Sequence, residues 1–543
     1  MPDNPDVPKS ADIPDNTHVL HADLSRRNRL TAAVAALLVG AALVTGCSGD
    51  DDALPIPSGE VTTTTNPNVY EQNRAEGVSA LLDDLSAALT AGDSAALARL
   101  IDPSATTVFR TRLETAAANF GAPAPRPTSS SRTPEPRTTE PRTTPPQTTT
   151  RSRGTGAPST SGGSAAPEPV RTSAPVTTPG PSTTAPLPDD SRGSALRPAT
   201  LRYQLVLSDE AETQAPEAVT DKLTDQGSSD VWVAPVDLHY ALGGARAPGI
   251  DEPELVSSEQ LVVARYDDSW KVVGDATLVG GSAPPTMLWE LAGLRVDDVP
   301  TSGGTSVIAS YQGTADTVER VRGLLPAAVF AVQSFWGTDW PRKAVIVVTR
   351  TPRQFTTVSG APEADGAAAA ATVFAGIDAD GTVRGQRVVL TPNAQRIPAP
   401  ALGVVLRHEL SHVATRSITS TKAPLWVTEG FAEYVGRKQT YRRIADAAPD
   451  LAAEVRSGSV PRTLPVDADF AVSGLRAGVA YQTAWSLWAF VAGRFGEGTL
   501  KKLYRTAAAG DASASTGAIA SVLKIDPGDF VAQWRRWLVA ETR

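Results

Sequence analysis

Arg407-His408-Glu409-Leu410-Ser411-His412 is the stretch that decides how the rest of the chain is read. It has the form H-E-x-x-H and lies in a run, 401–415, whose composition suits a helix. Residues four apart on a helix share a face, so His408 and His412 can offer two imidazoles to one divalent metal. Glu409 sits beside them and can reach a water on that metal. Neutral nitrogen donors with oxygen donors suit zinc, and zinc next to a carboxylate suits hydrolysis. The five-residue pattern alone gives false positives, so a third ligand must be found.

The chain has five histidines and one cysteine, Cys47. The other histidines, His18, His21 and His239, all precede the motif, so a carboxylate is the expected third ligand. The segment 425–434 reads LWVTEGFAEY and supplies a candidate. HELSH followed at short distance by this segment resembles the gluzincin, or peptidase MA-type, metallopeptidases. Their second helix carries a glutamate ligand in a W-x-x-E-G-x-A-x-Y context, and the resemblance covers His408 to Tyr434. It implies zinc on His408, His412 and Glu429, with Glu409 as general base. It also implies that Glu433 hydrogen-bonds a ligand histidine, a role that fixes ring orientation; the alternative is a solvent-facing glutamate. A purely structural zinc would need a fourth protein ligand, which the sequence does not show.

An oxyanion needs a donor. Gluzincins often use a tyrosine or histidine from a downstream helix, which points to Tyr481. However, Tyr481, Trp485 and Trp488 also recur as a plain core stripe. Trp426 and Phe431 read as core. By the same resemblance, the strand 387–391 before the motif helix is the open sheet edge that pairs with extended substrate, placed on Val388, Val389 and Leu390. The G-x-M-E-N motif of the aminopeptidase relatives does not occur, which favours an endopeptidase.

Arg26, Arg27 and Arg29 precede an apolar run, 30–44, that ends Val44-Thr45-Gly46-Cys47. This describes a secretory signal, and its end resembles a bacterial lipobox in which Cys47 is lipidated. The alternative is an uncleaved anchor helix, but the run is about 15 residues, short of the ~20 that span a bilayer. The chain beyond Cys47 is therefore expected on the extracytoplasmic face of the cell membrane, held by a lipid anchor. Ser25-Arg26-Arg27 has only part of a twin-arginine signal, since Arg29 stands where an apolar residue belongs.

The 543 residues leave room for two or three domains, and a net charge of −9 gives no support for nucleic-acid binding. The chain divides into a signal and lipobox (1–47), a polar tether (48–68), an N-terminal α+β module (69–120 and 198–280) and a zincin-like domain (286–543). A Pro/Thr/Ser-rich insert (121–197) interrupts the module and lacks the apolar groups that offset chain entropy, which predicts disorder. In the module, a helical stretch over 70–100, with Val78, Leu81, Leu82, Leu85 and Leu89 at three- and four-residue steps and a break and new N-cap at Gly92-Asp93, and a helix over 108–120 precede strands over 201–207, where Leu201, Tyr203, Leu205 and Leu207 alternate with polar residues, 231–242, 259–266 and 270–274, an order that loosely resembles an NTF2-like cone. His239 reads as an ordinary strand residue. The segment 284–300 reads as a link into the last domain, in which strands over 306–310, 344–349, 368–377 and 386–391 and a helix over 315–336 precede the motif helices. Helices over 441–455, 479–495, 500–508, 518–524 and 529–541 come after them. The fold class is α+β, with a mixed sheet and a helical C-terminal region. The expected partner is a peptide or protein substrate in the cell envelope.

Overall fold

The computed structural model describes residues 21–23, 69–121, 193–207, 212–362, 368–438, 440–441, 443–471 and 475–543. The apolar run 30–44, Cys47, the tether and nearly all of the insert lie outside these residues.

A three-residue strand, β1 (His21–Asp23), comes first. Next are three helices: α1 (Val69–Ala91), α2 (Ser94–Leu100) and α3 (Thr107–Gly121). Val78, Leu81, Leu82, Leu85 and Leu89 recur at three- and four-residue steps, and all are buried. The expected break at Gly92-Asp93 is present. Asp93 caps α2, its carboxylate accepting from the Ala95 and Ala96 amides at 3.0 and 2.9 Å. Gly92 has a positive φ of 67°, and a Cβ there would stand 2.2 Å from the Gly121 Cα, so α3 ends against this turn.

β2 (Thr200–Leu205), β3 (Asp230–Ala241), β4 (Leu255–Tyr266) and β5 (Ser269–Asp275) form an antiparallel sheet in sequence order. All four match the expected strands. A short helix, α4 (Glu217–Asp225), was not legible, because Leu223 is its only fully buried residue.

The second sheet runs β1-β9-β12-β8-β7-β6. Its elements are β6 (Arg295–Thr301), β7 (Gly304–Ser310), α5 (Ala315–Trp336), β8 (Val345–Val348), α6 (Pro352–Ser359), β9 (Ala370–Val373), the hairpin β10 (Gly376–Ile377) and β11 (Val383–Arg384), and β12 (Arg387–Leu390). Two expectations are corrected. The segment 284–300 is not only a linker, since β6 pairs antiparallel with β7 and buries Val296 and Val299. Asp297-Asp298 and Pro300 hid it, and an outer strand tolerates such a proline. Second, Val388, Val389 and Leu390 are not an open edge. β12 lies between β8, in parallel, and β9, antiparallel, and all three residues are fully buried. Their continuous apolar run is what a strand covered on both faces needs. β9 stands beyond β12, with β1 parallel beside it.

α7 (Ala399–Thr415) and α8 (Leu425–Arg437) carry the two motifs. The helix expected over 441–455 is two pieces, α9 (Ile444–Ala447) and α10 (Pro449–Arg456), parted at Ala448 before Pro449. α11 (Leu475–Ala507) takes in both pieces expected over 479–508, with non-helical backbone at Gly496 between them. α12 (Ala512–Ala518) continues into a π-helical turn (Ile519–Leu523), and α13 (Pro527–Glu541) closes the chain. α13 docks on α11: Trp534 is fully buried, and its indole donates to Ser486 Oγ at 3.1 Å. One continuous apolar core reaches from Val78 to Leu538.

Candidate metal centre

The site forms where α7 crosses α8. The helices come close because Gly436 has no side chain: a Cβ there would stand 2.9 Å from the Val404 carbonyl oxygen and 3.2 Å from His408 Cβ. Arg407 fastens the crossing, its Nε and Nη2 donating to the Gly436 carbonyl at 2.9 and 2.7 Å. On its other side α8 lies against α11, where a Cβ on Gly430 would meet the Ala484 carbonyl oxygen at 2.8 Å. The first turn of α8 is capped from a distance, the Leu425 amide donating to Asp467 Oδ1 at 2.7 Å. Glu429 is thus held on a helix clamped from both sides.

The predicted ligands converge. His408 Nε2 and His412 Nε2 are 3.1 Å apart. Glu429 Oε2 is 3.3 Å from His408 Nε2, and Glu429 Oε1 is 3.6 Å from His412 Nε2. All three residues are buried. Four ligands at zinc bond lengths of ~2.05 Å in a tetrahedron stand about 3.3 Å from one another, so these separations fit a zinc ion. A hydrogen bond between the two rings would explain 3.1 Å by itself, but not a carboxylate set against both. Among the described residues this is the one group of three or more such side chains arranged to hold a metal ion. His239 is elsewhere, on β3, with its Nδ1 2.8 Å from Glu254 Oε1.

Glu409 is fully buried beside these residues, and its Oε2 accepts from the Thr372 hydroxyl at 2.7 Å. Glu433 is buried on the same face of α8 as Glu429, its Oε1 3.7 Å from His408 Nδ1. The solvent-facing alternative for Glu433 is therefore ruled out. Arg437, one turn on, donates from Nε to Glu433 Oε2 and from Nη1 to the Ala447 carbonyl. Tyr481 is buried on α11, edge-on to Phe470 with ring centroids 5.1 Å apart. It lies one turn before Ala484, the residue that meets α8 next to Glu429. Trp426 and Phe431 are core, as expected.

Thr372, Arg437 and Asp467 were not singled out from the sequence. The Glu433-to-Arg437 spacing is a helical ion-pair signal. Thr372 and Asp467 carry no local signal, since each acts on a residue far along the chain.

Among solved structures, the chain is similar to an M1 zinc metallopeptidase from Deinococcus radiodurans, at 13% identity and a TM-score of 0.27, over 52% of this chain and 59% of that one. A mutant of the M1 zinc metallopeptidase from Deinococcus radiodurans matches at 11% identity and a TM-score of 0.28, over 62% of each chain. A two-domain M1 zinc metallopeptidase mutant bound to L-arginine matches at 13% identity and a TM-score of 0.28, over 51% of this chain and 58% of that one. The chain thus spans about three fifths of the length of the solved structures it matches. No family model and no curated protein matches the sequence. The geometry of the site, not this distant likeness, carries the functional reading.

Proposed function

We propose that the chain is a zinc-dependent metallopeptidase, exported and held at the outer face of the cell membrane by a lipid on Cys47. The observation that carries the catalytic part is the convergence of His408, His412 and Glu429, whose donor atoms lie within 4.8 Å of one another, with Glu409 next in sequence to one of them. Three protein ligands leave one position open, the arrangement of a catalytic rather than a structural zinc. His408, His412 and Glu429 would hold a zinc ion that would act as a Lewis acid on the scissile carbonyl and lower the pKa of a water to about 7. Glu409 takes the proton from the attacking water and delivers it to the leaving amine. Glu433, steadied by Arg437, orients the His408 ring. Tyr481 donates to the oxyanion.

The domain plan carries over into this reading, with an NTF2-like module over 69–120 and 198–280 and a zincin-like domain over 286–543. Cleavage before Cys47 would remove β1 and leave β9 as the edge of its sheet, open to an extended peptide. With no G-x-M-E-N segment to read a free N-terminus, we infer an endopeptidase acting on envelope peptides or proteins.

The test uses the full chain from Cys47 onward, purified and assayed for zinc by mass spectrometry and for cleavage of a peptide library and of purified sacculi. Glu409→Gln is expected to keep its zinc and lose roughly 10²–10⁴-fold in turnover. Undiminished turnover in that variant overturns the base assignment. Zinc bound with no hydrolysis by the wild-type chain makes it an envelope binding protein, and cleavage of sacculi alone makes it a hydrolase of wall stem peptides.

A further inference from the structure

We propose that Thr372 is a positioning residue that fixes the orientation of Glu409, an inference that rests on reading Glu409 as the general base. A buried glutamate has three side-chain torsions to settle, and a base must point its carboxylate one way. α7 gives little help. The residues three and four positions from Glu409 on its own helix are Val405, Leu406, His412 and Val413, so apart from a ligand histidine its neighbours there are apolar. A polar partner that can fix it comes from the sheet.

Thr372 is buried on β9, with its hydroxyl 2.7 Å from Glu409 Oε2 and 3.4 Å from the Glu409 carbonyl oxygen. A hydroxyl has one hydrogen to donate, and the shorter contact to the carboxylate is the charge-assisted one. Thr372 pairs with Val388 in the β9–β12 ladder, which sets its height against α7. Its β-branched side chain has few rotamers, so the strand aims the hydroxyl and the hydroxyl aims the base. β9 therefore joins two tasks that are separate in sequence. It would present the edge on which an extended peptide lies, and it sets the group that takes the proton. A peptide that shifts β9 also shifts Glu409.

The test compares Thr372→Val, close in shape but without the hydroxyl, and Thr372→Ser, which keeps it, in the zinc-loaded chain. Three quantities are read: zinc content, kcat and KM on a peptide from the library, and the Kd of acetohydroxamate, which binds zinc and hydrogen-bonds the neighbouring base. Thr372→Val is expected to keep its zinc, lose roughly tenfold in kcat with KM changed less than about twofold, and bind acetohydroxamate roughly fivefold more weakly. Thr372→Ser is expected to restore both. Wild-type values in Thr372→Val overturn the proposal, as do equal losses in Val and Ser, which would mean that packing rather than the hydroxyl matters. If the wild-type chain binds zinc and acetohydroxamate yet cleaves nothing, the peptidase reading fails, and the acetohydroxamate comparison alone decides for or against Thr372.

Discussion

Two places in the molecule bury carboxylates close together, and they neutralise them differently. In the first, three acids surround Arg112 of α3: Glu290 Oε1 at 3.0 Å, Asp275 Oδ2 at 3.1 Å and Glu259 Oε2 at 3.6 Å. One guanidinium cannot balance three charges, and a proton on Glu259 offsets part of the deficit. Burial pushes the Glu259 carboxyl up to about 7, with Glu290 and Asp275 adding to the rise and Arg112 opposing it. In the second place, where α7 crosses α8, Glu433 has Arg437, while Glu429 faces two imidazoles whose nitrogens point at the same spot. There two imidazole nitrogens and a carboxylate stand at separations that fit a zinc ion. The difference teaches that burial by itself does not mark a metal site. Imidazole nitrogens converging with a carboxylate on one spot point to one.

Three experiments would break or sharpen that contrast. The largest effect is expected at the cation site: Glu429→Gln should lower zinc affinity by more than about 100-fold, because a neutral amide replaces an anionic ligand. Competition with a chromogenic chelator would measure it, and unchanged affinity would move the third ligand elsewhere. Next, Glu433→Ala should weaken zinc roughly 10–100-fold by freeing the His408 ring. The same titration on Arg437→Met should show a smaller loss of the same sign.

The last experiment reads stability rather than zinc affinity, at the Arg112 cluster. Glu259 holds its proton to about pH 7 in the folded chain, while the unfolded carboxyl loses it near 4.5. The folded state therefore binds more protons between those values, and stability falls as pH rises through that window, by up to roughly 3 kcal/mol. Glu259→Gln should flatten that slope, matching the wild type near pH 4.5 and exceeding it near pH 8 in urea unfolding. An unaltered slope would place the shared proton on another member of the cluster.

Much of the fold was legible because its signals are local. The α1 stripe, the Asp93 cap and the alternation in β2 each arise from residues a few positions apart. What was misread depended on distant neighbours. β6 reads as a linker because two aspartates and a proline break its pattern, and it becomes a strand only with β7 beside it. β12 reads as a sheet edge only by resemblance; an apolar run such as 388–390 belongs between strands, and its partner β9 arrives from earlier in the chain. At the site, H-E-x-x-H and the E-G-x-A-E-Y segment named the three side chains that converge, His408, His412 and Glu429, and the buried Glu409 beside them. The Thr372 hydroxyl and the Asp467 cap had no such mark.

The sequence by itself determined that His408 and His412 face the same way, because a helix puts residues four apart on one face whatever surrounds it. Only the tertiary structure decided how far apart their donor atoms stand and what holds the base in place. Those depend on the backbone approach allowed at Gly436 and Gly430, and on a strand that sets one threonine against α7. Spacing along a chain fixes direction around a helix, but distance across a crossing is set by how closely two backbones can pack.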